Sequence, residues 1–537
     1  MPARTVAESI IERLSARGVR RMFGVPGGDC NLDLIEAGQR IGVEFILTRG
    51  ETAAAIMASV TGELTGAPGV AMTTRGPGLA SVVNGASYAT LDRAPLLVIA
   101  DNYEPGLDHV SHQRIDQAAL LRPVVKGESN LSGANPDAEM DALLDAAQAQ
   151  PPGAVYLEIT GPRVRSPAPD NASAPAAVPA RGRQPEEDLI EAAGALISRA
   201  ARPVVVAGLQ ARSEAAAAAL RRLVSRWGCP VLLTYKAKGV VSDDDPHALG
   251  YYIGGTAERS VIEASDLVLL YGFDHIEGPA ARWGYDKPLV ELTEHRLDHR
   301  LVTADVSIVG DIAAAADQLV RFRNAPAFTQ AELLATKEEI RRRALAGGAA
   351  DAISPQDVVD AAWEVLPHEA RITVDAGAHM LPVLHLWRTP DPRGALVSRG
   401  LATMGFALPA AIASAIEEPD RPVIAFTGDG GLMMCASELA TAAQYRCKLV
   451  VVVFNDSCLT LIEAKQRRRR LPNGGVNLSD VNFASVAEGY GCAGFRVERG
   501  EDLRPALAAA LAERRTAVVD VVIDPGPYFD QIISLRG

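Results

Sequence analysis

The sequence predicts an α/β protein built from three doubly wound parallel-sheet domains. Three observations carry that prediction. The chain has 537 residues, too many for one hydrophobic core. Short, continuously apolar, β-branched runs alternate with helical patterns along its whole length, as in strands buried on both faces of a parallel sheet. Two stretches break the alternation: residues 164–187, rich in Pro, Ala and Ser, and residues 323–354, a charged helical run followed by polar residues. The cuts give domains at 1–165, 188–325 and 355–537, each of ordinary size.

In chain order, the first residues read as an amphipathic helix with charges throughout, unlike a signal peptide. GVAMTT (69–74) and PLLVIA (95–100) read as buried strands, and ETAAAIMASVTGELTG (51–66) as a helix. The second domain supplies PVVVAG (203–208), CPVLLTY (229–235) and DLVLLYG (266–272) between Ala-rich helices. The third supplies RITVDAG (371–377), PVIAFTGDG (422–430), KLVVVVFND (448–456) and AVVDVVID (517–524). GLMMCASELATAAQY (431–445) reads as one helix. Ligands of such sheets sit beyond the carboxyl ends of strands.

Composition narrows the function classes. A formal net charge of −13 argues against nucleic acid or an anionic membrane as partner. No window approaches the ~18 apolar residues of a membrane span. Six scattered cysteines without a CxxC pair indicate neither a zinc site nor a disulfide framework, and fit a cytoplasmic location.

The chemistry begins at Gly428-Asp429-Gly430-Gly431. The glycines fall at a strand-to-helix turn, where free N–H groups and the helix dipole favour an anion. Asp429 would repel a bare phosphate; a divalent cation between them removes the conflict, since Mg2+ takes carboxylate and phosphate oxygens together. Asn455, at the end of the next strand, can point its amide oxygen into the same crevice. Each feature alone is commonplace; together they favour a metal–diphosphate site.

Gly428-Asp429-Gly430, 24 residues and Asn455 resemble the thiamine-diphosphate (ThDP) signature of the acetolactate synthase and 2-oxoacid decarboxylase superfamily. The resemblance implies Mg2+ held by Asp429, Asn455 and the Ser457 backbone carbonyl; Asp456 replaces a second Asn usual in the family. SRGLATMGFALPAAIASAI (398–416) resembles the segment in which a Met, here Met404, wedges ThDP into its bent shape, with the Ala402 carbonyl accepting from the aminopyrimidine. FILTRGETAAAIMA resembles the segment whose Glu, here Glu51, hydrogen-bonds the pyrimidine ring and so promotes loss of the thiazolium C2 proton. TTRGPGLASVVNG (73–85) resembles the stretch that places Gly76, Pro77 and Gly78 along the pyrimidine. In the family one subunit's first domain and its partner's third build one site, so the resemblance implies a homodimer or homotetramer.

It does not fix the reaction. Val25-Pro26-Gly27-Gly28, Gln113 and Lys126 are similar to the carboligating synthases, with Gly28 leaving room for a carbonyl acceptor. GVPGGDCNLDLIE also resembles keto-acid decarboxylases, where Asp29 would act in proton transfer; the adjacent His pair of those enzymes has only His109 and His112 to answer it. His379 follows the first strand of the third domain and is placed to approach the cofactor. Leu459, Leu461 and Ile462 suit a small aliphatic 2-oxo acid. Lys465–Arg470 reads as a solvated helix end or, more sharply, as a lid for an anionic substrate. Some synthases hold FAD in the middle domain; here the GxGxxG pattern is absent, and FAD is not expected.

Overall fold

The computed structural model describes the chain except for residues 1–3, 108, 169–182, 280–282, 297–300, 324, 346–351 and 537. Most of the first interdomain stretch, and part of the second, therefore lie outside the described residues. The charged run before residue 345 is helical, Gln330–Ala344, opened by a Thr329/Glu332 capping box.

Three six-stranded sheets form the frame, and every strand pairing in them is parallel. The first holds β1 (Arg21–Val25), β2 (Glu44–Leu47), β3 (Gly69–Thr73), β4 (Leu96–Asp101), β5 (Glu128–Ser129) and β6 (Ala154–Ile159), in the order 2-1-3-4-6-5. The second holds β7 (Pro203–Ala207), β8 (Val231–Leu233), β9 (Ala248–Tyr251), β10 (Leu267–Tyr271), β11 (Leu289–Thr293) and β12 (Val306–Val309), in the order 12-11-10-7-8-9. The third holds β13 (Arg371–Val374), β14 (Ala395–Val397), β15 (Val423–Gly428), β16 (Val450–Asn455), β17 (Ala493–Val497) and β18 (Ala517–Val522), in the order 14-13-15-16-18-17. First and third sheets thus repeat one topology. The second has the 3-2-1-4-5-6 order of dinucleotide-binding folds.

The strands β3, β4, β7, β10 and β16 are buried along their whole length because helices cover both faces, and they are apolar except for Thr73, Asp101 and Asn455 at their carboxyl ends. One core joins a face of the first sheet to a face of the third, with helix Glu51–Thr65 packed on helix Ala407–Glu417. A second core runs through the middle and third domains.

One helix expectation is corrected. Residues 431–445 are not one helix: Asp429–Cys435 and Glu438–Gln444 are separate, broken at Ala436-Ser437. Beyond the break, Glu438 is buried and accepts from the Arg49 backbone N–H at 3.0 Å, tying the helix to the loop that leads into Glu51.

Candidate active site

The carboxyl ends of β15 and β16 deliver the first cluster. Asp429 opens its helix directly after β15 and is 5% exposed; Asn455 ends β16 and is 2% exposed. Asp429 Oδ1 accepts from Gly430 N–H at 2.6 Å and Oδ2 from Cys458 N–H at 3.3 Å. Burial nonetheless pushes its carboxyl above the usual range. Asp456 beside it is pushed up to about 7, by burial first and with the Asp429 charge adding to it. Two crowded carboxylates with raised affinity for a proton are a place that a cation would stabilise.

Asn455 is oriented for that purpose. Its Nδ2 hydrogens go to Val481 O at 3.0 Å and to Asp520 Oδ1 at 2.9 Å, which leaves the amide oxygen for a ligand. Asp520 is fully buried in β18 and also receives Arg496 and the Phe483 N–H. Ser457 has φ 52°, with its carbonyl accepting from Leu478 N–H at 2.8 Å and keeping a second lone pair. Among the described residues no three His, Cys, Asp or Glu side chains cluster as a metal site by themselves. The expected donor set has one carboxylate, one amide and one carbonyl, completed by phosphate, and the residues present fit it.

Met404 and Leu459 converge on the same turn. A Cβ at Gly430 would lie 2.7 Å from Leu459 Cδ2 and 3.3 Å from Met404 Cε. The Met404 loop is fixed by Asp375, a buried residue at the end of β13. Asp375 accepts from Gly405 N–H at 3.1 Å, Phe406 N–H at 3.0 Å and Thr427 Oγ1 at 3.0 Å, and lies under Gly431. Burial raises its carboxyl to about 6. Ala402 is exposed at φ 55°. Leu461 packs on the core, whereas Ile462 is 43% exposed. His379 is buried against Phe454, its ring 3.2 Å from the place of a Gly428 Cβ; burial depresses its pKa to about 3 and Nε2 has no partner.

The second cluster sits on the first domain. Glu51 is the first residue of helix Glu51–Thr65, and its Oε1 comes within 3.2 Å of a Cβ position at Gly78. Gly76 adopts φ 65°, and a Cβ there would press on the Gln113 backbone oxygen at 2.5 Å. Glu51, Gly76, Pro77, Gly78 and Gln113 therefore meet. Gly28 is exposed, with open space beside it. No hydrogen bond or ion pair among the described residues joins this cluster to Asp429, Asn455 or Met404.

Other expected residues lie in settings the sequence did not reveal. Asp29 is held between Arg165 at 2.8 Å and Arg75 at 3.1 Å, so both of its oxygens are engaged. Arg75 also grips Asp101, at 2.6 Å, and lies over the Tyr103 ring. Lys126 donates to the carbonyls of Ala146, Ala149 and Pro151, each at 2.6 Å, so its ammonium closes the end of helix Pro136–Gln148. His109 and His112 are exposed loop residues. In the middle domain the crevice beyond β7 and β10 is filled from within. Leu209 N–H donates to Glu277 at 2.8 Å, and a Cβ at Gly208 would meet Phe273 Cα at 2.6 Å. An internal carboxylate thus engages the turn that follows β7.

Asp375, Asp520 and Glu438 were not singled out from sequence. Asp375 and Asp520 carried a readable signal: an acid closing or interrupting an otherwise apolar strand run.

Sequence models of protein families agree with this division of labour. The thiamine pyrophosphate enzyme N-terminal TPP binding domain matches residues 4–120, the central domain 190–319, and the C-terminal TPP binding domain 375–521. The chain is 29% identical over 550 residues to an acetolactate synthase of Bacillus subtilis, covering 98% of this chain and 94% of that one. It is 27% identical over 534 residues to a catabolic acetolactate synthase of Raoultella terrigena, covering 96% and 95%. It is also 29% identical over 558 residues to a 2-hydroxyacyl-CoA lyase of Oryza sativa subsp. japonica, covering 95% and 94%. With all three domains matched in order over their own sheets, the chain belongs to the thiamine pyrophosphate enzyme family, among acetolactate synthase-like members.

Proposed function

We infer that the protein uses ThDP and Mg2+ to decarboxylate a small 2-oxo acid and to pass the acyl group to a second carbonyl, as a homodimer or homotetramer. When bound, ThDP would supply a nucleophilic carbon and an electron sink for decarboxylation and acyl transfer. The chain's own residues do the rest. Asp429, Asn455 and the Ser457 carbonyl would hold the metal, and the Gly428–Gly431 turn would receive the diphosphate at N–H groups other than that of Gly430, which is spent on Asp429. Met404 and Leu459 set the shape of the crevice. Glu51 holds a proton at the pyrimidine ring. Because Glu51 and Asp429 lie in separate clusters of one chain, the reading takes Glu51 from a second copy.

The observation that favours carbonyl transfer over simple aldehyde release is the Gly28–Asp29 corner. Gly28 leaves open space, while Asp29 is committed to Arg75 and Arg165 and so is badly placed to relay protons. The similarity to a 2-hydroxyacyl-CoA lyase favours a second reading, carbon–carbon cleavage of a 2-hydroxyacyl substrate, through the same groups run in reverse.

The test is incubation of the holoprotein with a panel of 2-oxo acids, following CO2 and products by NMR. A 2-hydroxy ketone or 2-aceto-2-hydroxy acid is expected. Aldehyde alone would overturn the transfer assignment, and no CO2 from any 2-oxo acid would leave the lyase.

A further inference from the structure

The Lys465–Arg470 run is not absorbed by the chemistry above, and its setting makes it more than a solvated helix end. It closes helix Thr460–Arg468, which starts immediately after Leu459. The excursion leaves and re-enters the structure at the site itself: Leu459 N–H donates to Val476 O at 2.8 Å, and Leu478 N–H to Ser457 O at 2.8 Å. The basic tip is thus tied at both ends to the backbone beside Asp429 and Met404.

The charge there exceeds what local structure asks for. A helix C-terminus carries about half a negative charge. Against it stand five cations in six residues. Arg467 pairs with Glu463 at 2.7 Å and covers the Phe529 ring. Lys465, Arg469 and Arg470 are exposed and make no ion pair among the described residues. The whole chain has formal net charge −13, so this concentration runs against its balance.

Distance selects the ligand. From Leu459 to Arg470 the helical rise amounts to roughly 15 Å. A three- or four-carbon oxo acid spans no more than about two extended residues, ~7 Å, so its own carboxylate cannot reach from the crevice to the tip. We propose that the Lys465–Arg470 tip receives the phosphate-bearing tail of a substrate whose reacting carbonyl lies in the Met404–Leu459 crevice, the two being joined by a spacer of a nanometre or more. Guanidinium forks suit phosphate oxygens geometrically and electrostatically. The proposal deepens the reading of the site given above and rests on it.

The test uses the ThDP- and Mg2+-loaded protein, with coenzyme A and ADP as phosphate-bearing probes and adenosine and sulfate as controls. Binding is measured calorimetrically, along with inhibition of 2-oxo acid consumption. The expected result is saturable binding of coenzyme A that inhibits consumption, weakens with added salt, and falls about tenfold or more in Arg469→Gln/Arg470→Gln, with Arg469→Lys/Arg470→Lys falling between that variant and the parent because it keeps the charge and loses the fork. Adenosine and sulfate should not compete. ThDP affinity and turnover of a small oxo acid should be unchanged in the Gln variant. No binding of coenzyme A at millimolar concentration, equal binding by the Gln variant, or binding without inhibition would each overturn the proposal. A parallel ThDP titration separates the two levels: failure to bind ThDP sinks the site assignment itself.

Discussion

Gly431→Ala is the sharpest probe of how the candidate site is held together. A Cβ at this position would fall deep inside van der Waals contact with Asp375 Oδ2 and 2.9 Å from Thr427 Oγ1. Neither neighbour can step aside cheaply. Asp375 is fully buried and accepts from the N–H groups of Gly405, Phe406 and Ala376 and from the Thr427 hydroxyl. Relieving the clash breaks two or more hydrogen bonds to a charged group at about 1.5–3 kcal/mol each, or shifts the turn at an overpacking cost of about 1–3 kcal/mol. We expect a loss of roughly 3–5 kcal/mol, read from urea unfolding monitored through the third domain. Because Asp375 fixes both the Met404 loop and the turn, ThDP affinity should fall as well. A double-mutant cycle isolates the cause: in an Asp375→Ala background, the added cost of Gly431→Ala should drop below about 1 kcal/mol. If the two substitutions are additive, or if Gly431→Ala unfolds and binds ThDP like the parent, then Asp375 is not the brace described here.

Three further outcomes follow from the geometry. Glu51→Gln should leave ThDP binding nearly intact while lowering kcat by about 100-fold or more; unchanged turnover in a steady-state assay removes Glu51 from the proton step. Asp456, pushed up to about 7 from an ordinary value near ~3.9, keeps a proton in the folded apoprotein that the unfolded chain has released. Its contribution to stability therefore declines as pH rises from about 4 to about 7 and is level above that. Mg2+·ThDP should accordingly bind more tightly between pH 6 and 8, with proton release, and Asp456→Asn should flatten that trend in calorimetry; an unaltered trend refutes the assignment. Lys126→Met should cost about 2–3 kcal/mol of stability, since three carbonyls lose a charged donor, while the ratio of products from a 2-oxo acid panel stays fixed; an altered ratio would return Lys126 to the substrate pocket.

The fold was legible because its signal is local. Apolar runs such as KLVVVVFND carry both their strand character and their buried position within nine residues, and the Gly428–Gly431 turn announces itself by composition. Residues whose meaning depends on distant partners were opaque. Lys126 read as part of a synthase motif, yet its ammonium is spent on Ala146, Ala149 and Pro151. Asp29 read as a possible proton carrier, yet Arg165, 136 positions away, holds it. Strain was equally invisible. Gln113, Ala402 and Ser457 are three of the eight non-glycine residues named at positive φ, a conformation that costs about 1–2 kcal/mol and gathers at functional sites. Nothing in those side chains announces it.

The repeated topology explains why the two halves of the candidate site differ. The first and third sheets share the order 2-1-3-4-6-5, so each has a switch point between its first and third strands and an acceptor at the end of its fourth. In the third sheet that fourth-strand residue is Asn455, whose Nδ2 hydrogens go to Val481 and Asp520 and whose amide oxygen is left over. In the first sheet it is Asp101, and Arg75 occupies it with its guanidinium at 2.6 Å and its backbone N–H at 2.7 Å. The first crevice is therefore neutralised by the chain's own cation and has no unmet demand for a metal. The third keeps two crowded carboxylates and an unpaired amide oxygen. In the proposed function one copy of the fold anchors a metal–diphosphate and the other presents Glu51 beside the backbone of Gly76–Gly78. A bent cofactor there takes one of each; no hydrogen bond or ion pair among the described residues joins the two clusters within one chain, and we propose that pairing two copies of the chain brings them together.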